Sequence, residues 1–331
     1  MRYFGSKGSV VDAIQRMVAS ALPSGSFCDP FGGIGVVGRH FKALGYRVTS
    51  GDVLLFAHMF QVASINRSGS LPFSNVAAAL GFRSGSQIGS FLNDGRARRG
   101  WFVEEYALNR KFFTADNARR IQRCWKQITR WHKEGLTNDK EHAVLMASLI
   151  DSMDKVANTA GTYYAYLKAF SRKSLKPFIY RLLPPTKGPI GIAIQSDALD
   201  LVQRAQYDIL YLDPPYNYRD YSAYYHLPET IASGKVVKLT GRSGIPSASR
   251  VKSRFTRPGE VQRAIAELLR ASRFRLLVFH YSDDGLLSPR DLLGLLSPLG
   301  RVQKHNLDAL GYRTTPGKRG TGHALYLVSH A

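Results

Sequence analysis

The sequence predicts an α/β protein with a mostly parallel sheet, helices on both faces, and a helical insertion partway along the chain. Three observations predict it. Residues 26–52 read as a short strand (SFCD), a glycine-rich turn, a helix ending near Gly45 and a second strand closing on Asp52. That β–turn–α–β unit is the one from which parallel sheets are built. Short apolar runs without polar alternation recur at 190–195, 207–212 and 274–279, as expected of strands covered on both faces. Between these regions, residues 64–135 are polar, basic and helical in pattern.

Taken in order, residues 9–22 (SVVDAIQRMVASAL) carry apolar side chains at helical spacing, and Pro23-Ser24-Gly25 ends the helix. Residues 46–52 (YRVTSGD) form the second strand. A helical insert then fills 60–185, containing the basic stretch GRARRG at 95–100, an amphipathic helix at 141–156, and 158–181, where aromatics interleave with Lys and Arg. The sheet resumes with PIGIAI running toward Asp197, YDILYL running into Asp213, a helix at 259–272, and FRLLVF running toward His280-Tyr281. RVQKHNL and HALYLV predict a closing pair of strands around the basic turn TTPGKRGTG. Residues 1–59 and 186–331 thus form one domain and 60–185 an inserted one.

Charge narrows the function. Lys and Arg total 46 against 24 Asp and Glu, a net +22, which points to a polyanionic partner because neutralising phosphates releases counterions. A merely soluble basic protein would share that excess. No apolar run is long enough to span a bilayer, and MRYFGSKGS has no apolar segment behind its charge, so neither a membrane span nor a signal peptide is expected. With two cysteines, Cys28 and Cys124, there is no disulfide framework and no zinc spacing. A reducing cytoplasm is the expected location.

Two stretches carry chemistry. In DPFGGIGVVG (29–38), glycines between a strand and a helix let the backbone approach a ligand beside free helix N–H groups. The spacing is neither that of a phosphate loop nor G-x-G-x-x-G, and a ligand-free turn would use the same residues. Asp52, at the end of the next strand, suits both hydroxyls of a ribose, although a lone Asp there is also a common helix cap. In DILYLDPPYNYRDYSAYYHLPET (208–230), Asp213 ends a buried strand at the sheet's carboxyl edge, where open α/β folds bind ligands. Pro214 and Pro215 stiffen the turn. The Asp213 carboxylate and the Pro214 carbonyl then give two acceptors suited to one –NH2 group, and Tyr216 offers a ring face to the heterocycle bearing it. A basic protein that presents such a corner is suited to a nucleobase flipped out of the helical stack.

These motifs, with RYFGSK near the N-terminus and YNYRDYSAYYHLPETIA after the DPPY corner, resemble the D12-class DNA adenine-N6 methyltransferases, in the motif order of their α group. The resemblance covers nearly the whole chain. It implies a Rossmann-like class I methyltransferase fold with a seven-stranded sheet, S-adenosyl-L-methionine as methyl donor with S-adenosyl-L-homocysteine as product, no metal, and double-stranded DNA as substrate. Carried over by position, Tyr3 and Lys7 line the cofactor site, with Lys7 near the methionine carboxylate. Asp29, Phe31, Gly32, Gly33 and Gly35 cradle the methionine part, Asp52 holds the ribose, and Asp197 meets the cofactor's adenine amine. Asp213, Pro214, Pro215 and Tyr216 bind the target base. Tyr163, Tyr164, Lys168 and Lys176 face DNA, and the insert recognises the target sequence. From the residues alone, Arg219 suits a phosphate contact or plain solvation, and Tyr221 suits a clamp on the substrate or packing of the following helix.

The expected activity is site-specific adenine-N6 methylation, as the modification half of a restriction–modification or phage system with a cognate endonuclease as functional partner. Cytosine N4, adenine in RNA, and a relative that binds DNA without catalysis are the competing readings. Asp at the head of the tetrapeptide favours adenine, since N4 enzymes more often resemble Ser-Pro-Pro-Tyr.

Overall fold

A computed structural model describes residues 1, 3, 7, 8, 10–96, 98–246, 253–307 and 322–329. The chain forms two compact units. One comprises Ser6–Val53, Thr186–Asp220 and Lys252–Ala331, and the other Met1–Gly5, Leu54–Pro185 and Tyr221–Val251.

The first unit holds the sheet. Its strands are β1 (Ser26–Asp29), β2 (Arg47–Asp52), β3 (Ile192–Gln195), β4 (Tyr207–Leu212), β5 (Phe274–Ser282), β6 (Arg301–Leu307) and β7 (His323–Ser329). They lie in the order β3-β2-β1-β4-β5-β7-β6. The first five are mutually parallel, and β7 runs antiparallel to both β5 and β6. The chain steps outward from β1 to β2 and β3 on one side and from β4 to β5 on the other. The topological switch point therefore falls between β1 and β4, where open α/β sheets bind ligands beyond the strands' carboxyl ends. Cys28 pairs with Leu210, so Asp29 and Asp213 emerge at that same edge.

The central strands are covered on both faces: Ile209, Leu210, Leu212, Leu277 and Phe279 are all fully buried. The side chains of Leu210, Leu212, Leu277 and Phe279 belong to one cluster with Val261, Ile265 and Leu268 from the helix Val261–Ala271. Cys28 and Cys124 are both buried free thiols. Two expectations need correction here. The run at 190–195 gives an edge strand, with Ile192 54% exposed, because β3 has a neighbour on one side only. β5 continues three residues past Phe279 to Ser282, which brings His280 and Tyr281 into the sheet. The paired tail strands form as expected, while residues 314–321 of the basic turn lie outside the described residues.

The second unit is helical. Its two longest helices are Ala115–Lys133 and Asp139–Asp154. The first starts on Thr114, whose hydroxyl accepts from the Asn117 N–H. The second opens with a capping box in which Asn138 and Glu141 each satisfy the other's backbone N–H, at 2.9 and 3.2 Å. This second helix is not the amphipathic element expected at 141–156, since every residue from Glu141 to Asp154 is buried. Several of its polar side chains find partners inside the unit instead. The Ser148 hydroxyl accepts from the Leu183 N–H and donates to the Val144 carbonyl, and Asp154 accepts from the Tyr163 hydroxyl. Buried polar groups are tolerated when they are paired in this way.

Candidate functional site

At the carboxyl edge of the sheet, the glycine turn is stitched to the end of β2. Gly32 N–H donates to the Gly51 carbonyl at 2.9 Å, and Gly33 N–H to Asp52 Oδ2 at 3.0 Å. Gly33 and Gly35 have φ of 49° and 75°, a region costly for residues with a Cβ, so the bare backbone is required there. Gly35 is also the residue that leads into the helix Val36–Ala43. Phe31 sits in the turn with its ring edge-on to Phe255, 5.0 Å between centroids. Asp197 caps the helix Ala198–Val202 through Oδ1, which accepts from the Leu199 N–H at 2.9 Å, and is otherwise exposed.

Beside this turn lies a compact cluster of charge. Asp29 is 2% exposed, and its Oδ1 has no hydrogen-bond partner among the described residues. Burial pushes its carboxyl well above the usual range, and the neighbouring Asp213 and Asp52 push it the same way. The Phe31 N–H and the Lys7 ammonium oppose them. Lys7 is nearly buried and forms an ion pair with Asp213 Oδ2. Burial raises the Asp213 carboxyl too, against the lowering effect of Lys7. Asp213 Oδ1 is buried with no hydrogen-bond partner among the described residues. The expectation set Lys7 beside a methionine carboxylate; in the structure its ammonium goes to Asp213. Uncompensated desolvation of a carboxylate is large, and a close cation is what lets it stay ionised.

The DPPY corner is held from behind. Pro214 is buried and Pro215 partly so. Tyr216 is 9% exposed, its ring edge-on to His323 and Tyr281 at 5.6 and 6.0 Å, and its carbonyl accepts from the Leu286 N–H at 2.8 Å. Deeper in, His280 is fully buried and hydrogen-bonded through Nδ1 to the Tyr211 hydroxyl at 3.0 Å. Burial, helped by Lys7 and His323, holds its imidazole well below the ordinary value, so it is neutral. The sequence reading reached His280-Tyr281 as a strand end without giving either a role, and His323 carried no local signal. Arg219, partly buried, donates its N–H to Asn217 Oδ1.

Other expected site residues belong to the helical unit. Tyr3 stacks on Tyr225 with centroids 4.8 Å apart, and the rings of Tyr221 and Phe56 lie 6.1 and 6.3 Å from it. Glu229, just beyond those tyrosines, accepts from the Leu55 and Phe56 N–H groups, both at 3.0 Å. It thereby caps the helix Leu55–Ser64 from a distant part of the chain. Tyr164 is half exposed, and Lys168 and Lys176 are exposed. Tyr163 is the exception among the residues expected to face DNA. It is 1% exposed, and its hydroxyl is bonded to Asp154, so its role is to anchor the segment rather than to offer a surface.

The strand order, the glycine turn after β1 and the acids at the ends of β1, β2 and β4 define a Rossmann-like methyltransferase fold. Residues 3–278 match the D12 class N6 adenine-specific DNA methyltransferases, and the chain belongs to that family. It is 30% identical over 325 residues to the type II methyltransferase M.FokI of Planomicrobium okeanokoites, covering 96% of this chain and 50% of that protein. It is 29% identical over 303 residues to the modification methylase StsI of Streptococcus sanguinis, covering 89% and 46%. With the type II methyltransferase M.NlaIII of Neisseria lactamica it shares 30% identity over 325 residues, covering 95% and 92%. The chain thus spans about half the length of the first two relatives and nearly all of the third.

Proposed function

We propose that the protein transfers a methyl group from S-adenosylmethionine to N6 of an adenine flipped out of double-stranded DNA, as the modification component of a restriction–modification system. The observation that carries this reading is the buried Oδ1 of Asp213, without a hydrogen-bond partner among the described residues, whose other oxygen is held by Lys7 at the switch point of the sheet. Modification methylases among the relatives support the biological setting. The functional partner is then a cognate endonuclease, and the location is the cytoplasm, with the DNA. Among the described residues no helix is long and apolar enough to cross a membrane.

The residues present fit the cofactor. Its ammonium and sulfonium are cationic, and Asp29 Oδ1, without a partner among the described residues, is a buried acceptor beside a turn whose left-handed glycines leave the backbone bare. Asp29, Phe31, Gly32, Gly33 and Gly35 would hold the methionine part, Asp52 the ribose and Asp197 the adenine amine. The assignment of Tyr3 rests on motif resemblance. When bound, S-adenosylmethionine supplies an electrophilic methyl group and departs as S-adenosylhomocysteine.

Asp213 and the DPPY corner do the rest. The amino nitrogen of adenine is a poor nucleophile because its lone pair is delocalised into the ring. Asp213 Oδ1 and the Pro214 carbonyl accept its two hydrogens, which favours tetrahedral nitrogen and localises the pair. Both acceptors are fixed before the positive charge develops, so little reorganisation accompanies the reaction. Asp213 then takes the proton that leaves the methylated nitrogen. Lys7 opposes the burial that favours the neutral form of Asp213. Replacing it (Lys7→Met) removes the cause that lowers the Asp213 carboxyl and leaves the burial that raises it. The acidic limb of the pH profile of kcat/KM is therefore expected to move to higher pH, and an unmoved limb would count against the pairing.

Digestion of treated DNA to nucleosides, followed by mass analysis, tests the function. N6-methyladenosine formed only with S-adenosylmethionine is the expected product. N4-methylcytosine, or methylation confined to RNA, would displace the proposal.

A further inference from the structure

Residues 177–183 run along the helical unit as extended chain outside any sheet, and directly follow a turn in which the Ser174 and Leu175 N–H groups donate to the Ser171 carbonyl. The backbone here pairs with side chains instead of a strand. Asn117 Nδ2 donates to the Ser174 and Lys176 carbonyls, and its Oδ1 accepts from the Phe178 N–H at 2.8 Å. Asn93 does the same for Tyr180, accepting from its N–H at 2.7 Å and donating to its carbonyl at 2.9 Å. The Ser152 and Ser148 hydroxyls accept from the N–H groups of Arg181 and Leu183. Just upstream, the fully buried Asn158 donates to the Lys111 and Leu167 carbonyls and accepts from the Ser171 N–H.

From Pro177 to Arg181 burial alternates as in a strand, and Lys176, just before that stretch, is exposed. Ser174, Phe178 and Tyr180 are buried, whereas Leu175, Pro177 and Ile179 face outward, with Leu175 62% and Ile179 47% exposed. Such a row of apolar side chains in water would be costly to maintain without a use. Its flanks are cationic: residues 158–187 contain six Lys and Arg and no Asp or Glu. That charge suits a phosphate backbone and is wrong for a second copy of a chain carrying +22.

We propose that the outward row Leu175–Pro177–Ile179 is a preformed contact surface for duplex DNA that recognises shape and not sequence. The inference rests on the reading of the protein as a DNA methyltransferase. The row's side chains hold no hydrogen-bond donor or acceptor, so they cannot read base edges. They can pack on sugars or wedge at a base step while Lys176 and Arg181 meet phosphates. The asparagine ladder fixes the segment beforehand, so binding does not have to order it.

The test is a double substitution, Leu175→Ser with Ile179→Ser, at positions already exposed, with its thermal melt checked against the parent. Affinity is measured by fluorescence anisotropy on several labelled duplexes of unrelated sequence. Binding is expected to weaken roughly tenfold on all of them alike, with the salt slope unchanged because the cations remain. Leu175→Met with Ile179→Leu is expected to restore parental binding. Parental affinity in the serine variant overturns the proposal, as does a loss confined to some sequences, which would mean the row reads bases. A variant that abolishes self-association of the parent but leaves DNA affinity intact assigns the face to a second copy and likewise overturns it. If the parent itself binds no duplex, the methyltransferase reading falls and takes this inference with it.

Discussion

Asp213→Ala is expected to abolish methyl transfer, by at least ~1,000-fold in kcat, while S-adenosylmethionine still binds within a few fold. The size follows from geometry. Asp213 Oδ1 is a buried acceptor without a partner among the described residues, and Oδ2 is already committed to Lys7. Removing the carboxylate leaves the substrate amine one main-chain acceptor, and its lone pair stays in the ring. Cofactor binding survives because Asp29, the glycine turn and Asp52 lie on β1 and β2 and do not require the β4 corner for their backbone geometry. The alanine variant also removes the carboxylate paired with the Lys7 ammonium, and breaking such a buried pair costs about 3–5 kcal/mol. A companion variant, Asp213→Asn, separates the two effects. It preserves the packing and an acceptor oxygen but gives Lys7 a neutral partner, so it should be inactive or nearly so and lose less stability. Incorporation of a radiolabelled methyl group into DNA, with equilibrium dialysis for the cofactor, reads both quantities. Parental turnover in either variant would falsify the catalytic assignment.

The strands at the centre of the sheet were legible because burial on both faces leaves a local mark. YDILYL at 207–212 coincides with β4, and the glycine turn announces the β1–helix–β2 unit. What failed to show was set by distant residues. β3 has the same apolar run as its neighbours, yet it is exposed because edge position is a property of topology. The helix Asp139–Asp154 reads as two-faced until Leu183 and Tyr163 are seen to pair with its polar side chains. Nothing near residue 7 signals that Lys7 will pair with Asp213, and the extended segment at 177–183 hides its ladder in asparagines from other elements. The resemblance assigned Lys7 and Asp29 to the cofactor and Asp213 to the target base, and gave no sign of the contacts among them.

Asp29→Asn is expected to stabilise the protein without ligand and to weaken its response to S-adenosylmethionine. Asp29 is almost wholly buried, with one oxygen that has no partner among the described residues, and desolvation, reinforced by Asp213 and Asp52, raises its carboxyl well above the usual range. The sign follows from linkage. A group whose folded value lies above its unfolded value contributes stability that is complete below the unfolded value and is lost as pH rises through the folded one. At neutral and alkaline pH the parent fold therefore holds an acid in a place that disfavours its charge. Asparagine is nearly isosteric and does not titrate, so the melting temperature should rise by a few degrees there, and the difference should shrink toward acid pH. With saturating cofactor the order reverses. Ligand at about 100 times its dissociation constant adds about 2.7 kcal/mol to a protein that binds it. A neutral amide in place of the carboxylate loses a charge-assisted bond worth about 1.5–3 kcal/mol, or roughly tenfold to hundredfold in affinity. Thermal melts between about pH 6 and 9, with and without the cofactor, test both halves of this linkage. A variant that melts lower than the parent without ligand, yet keeps the full cofactor shift, would mean that Asp29 serves the fold and not the ligand. Stability withheld from the empty state and returned on binding is what a buried acceptor kept for a cationic ligand should produce.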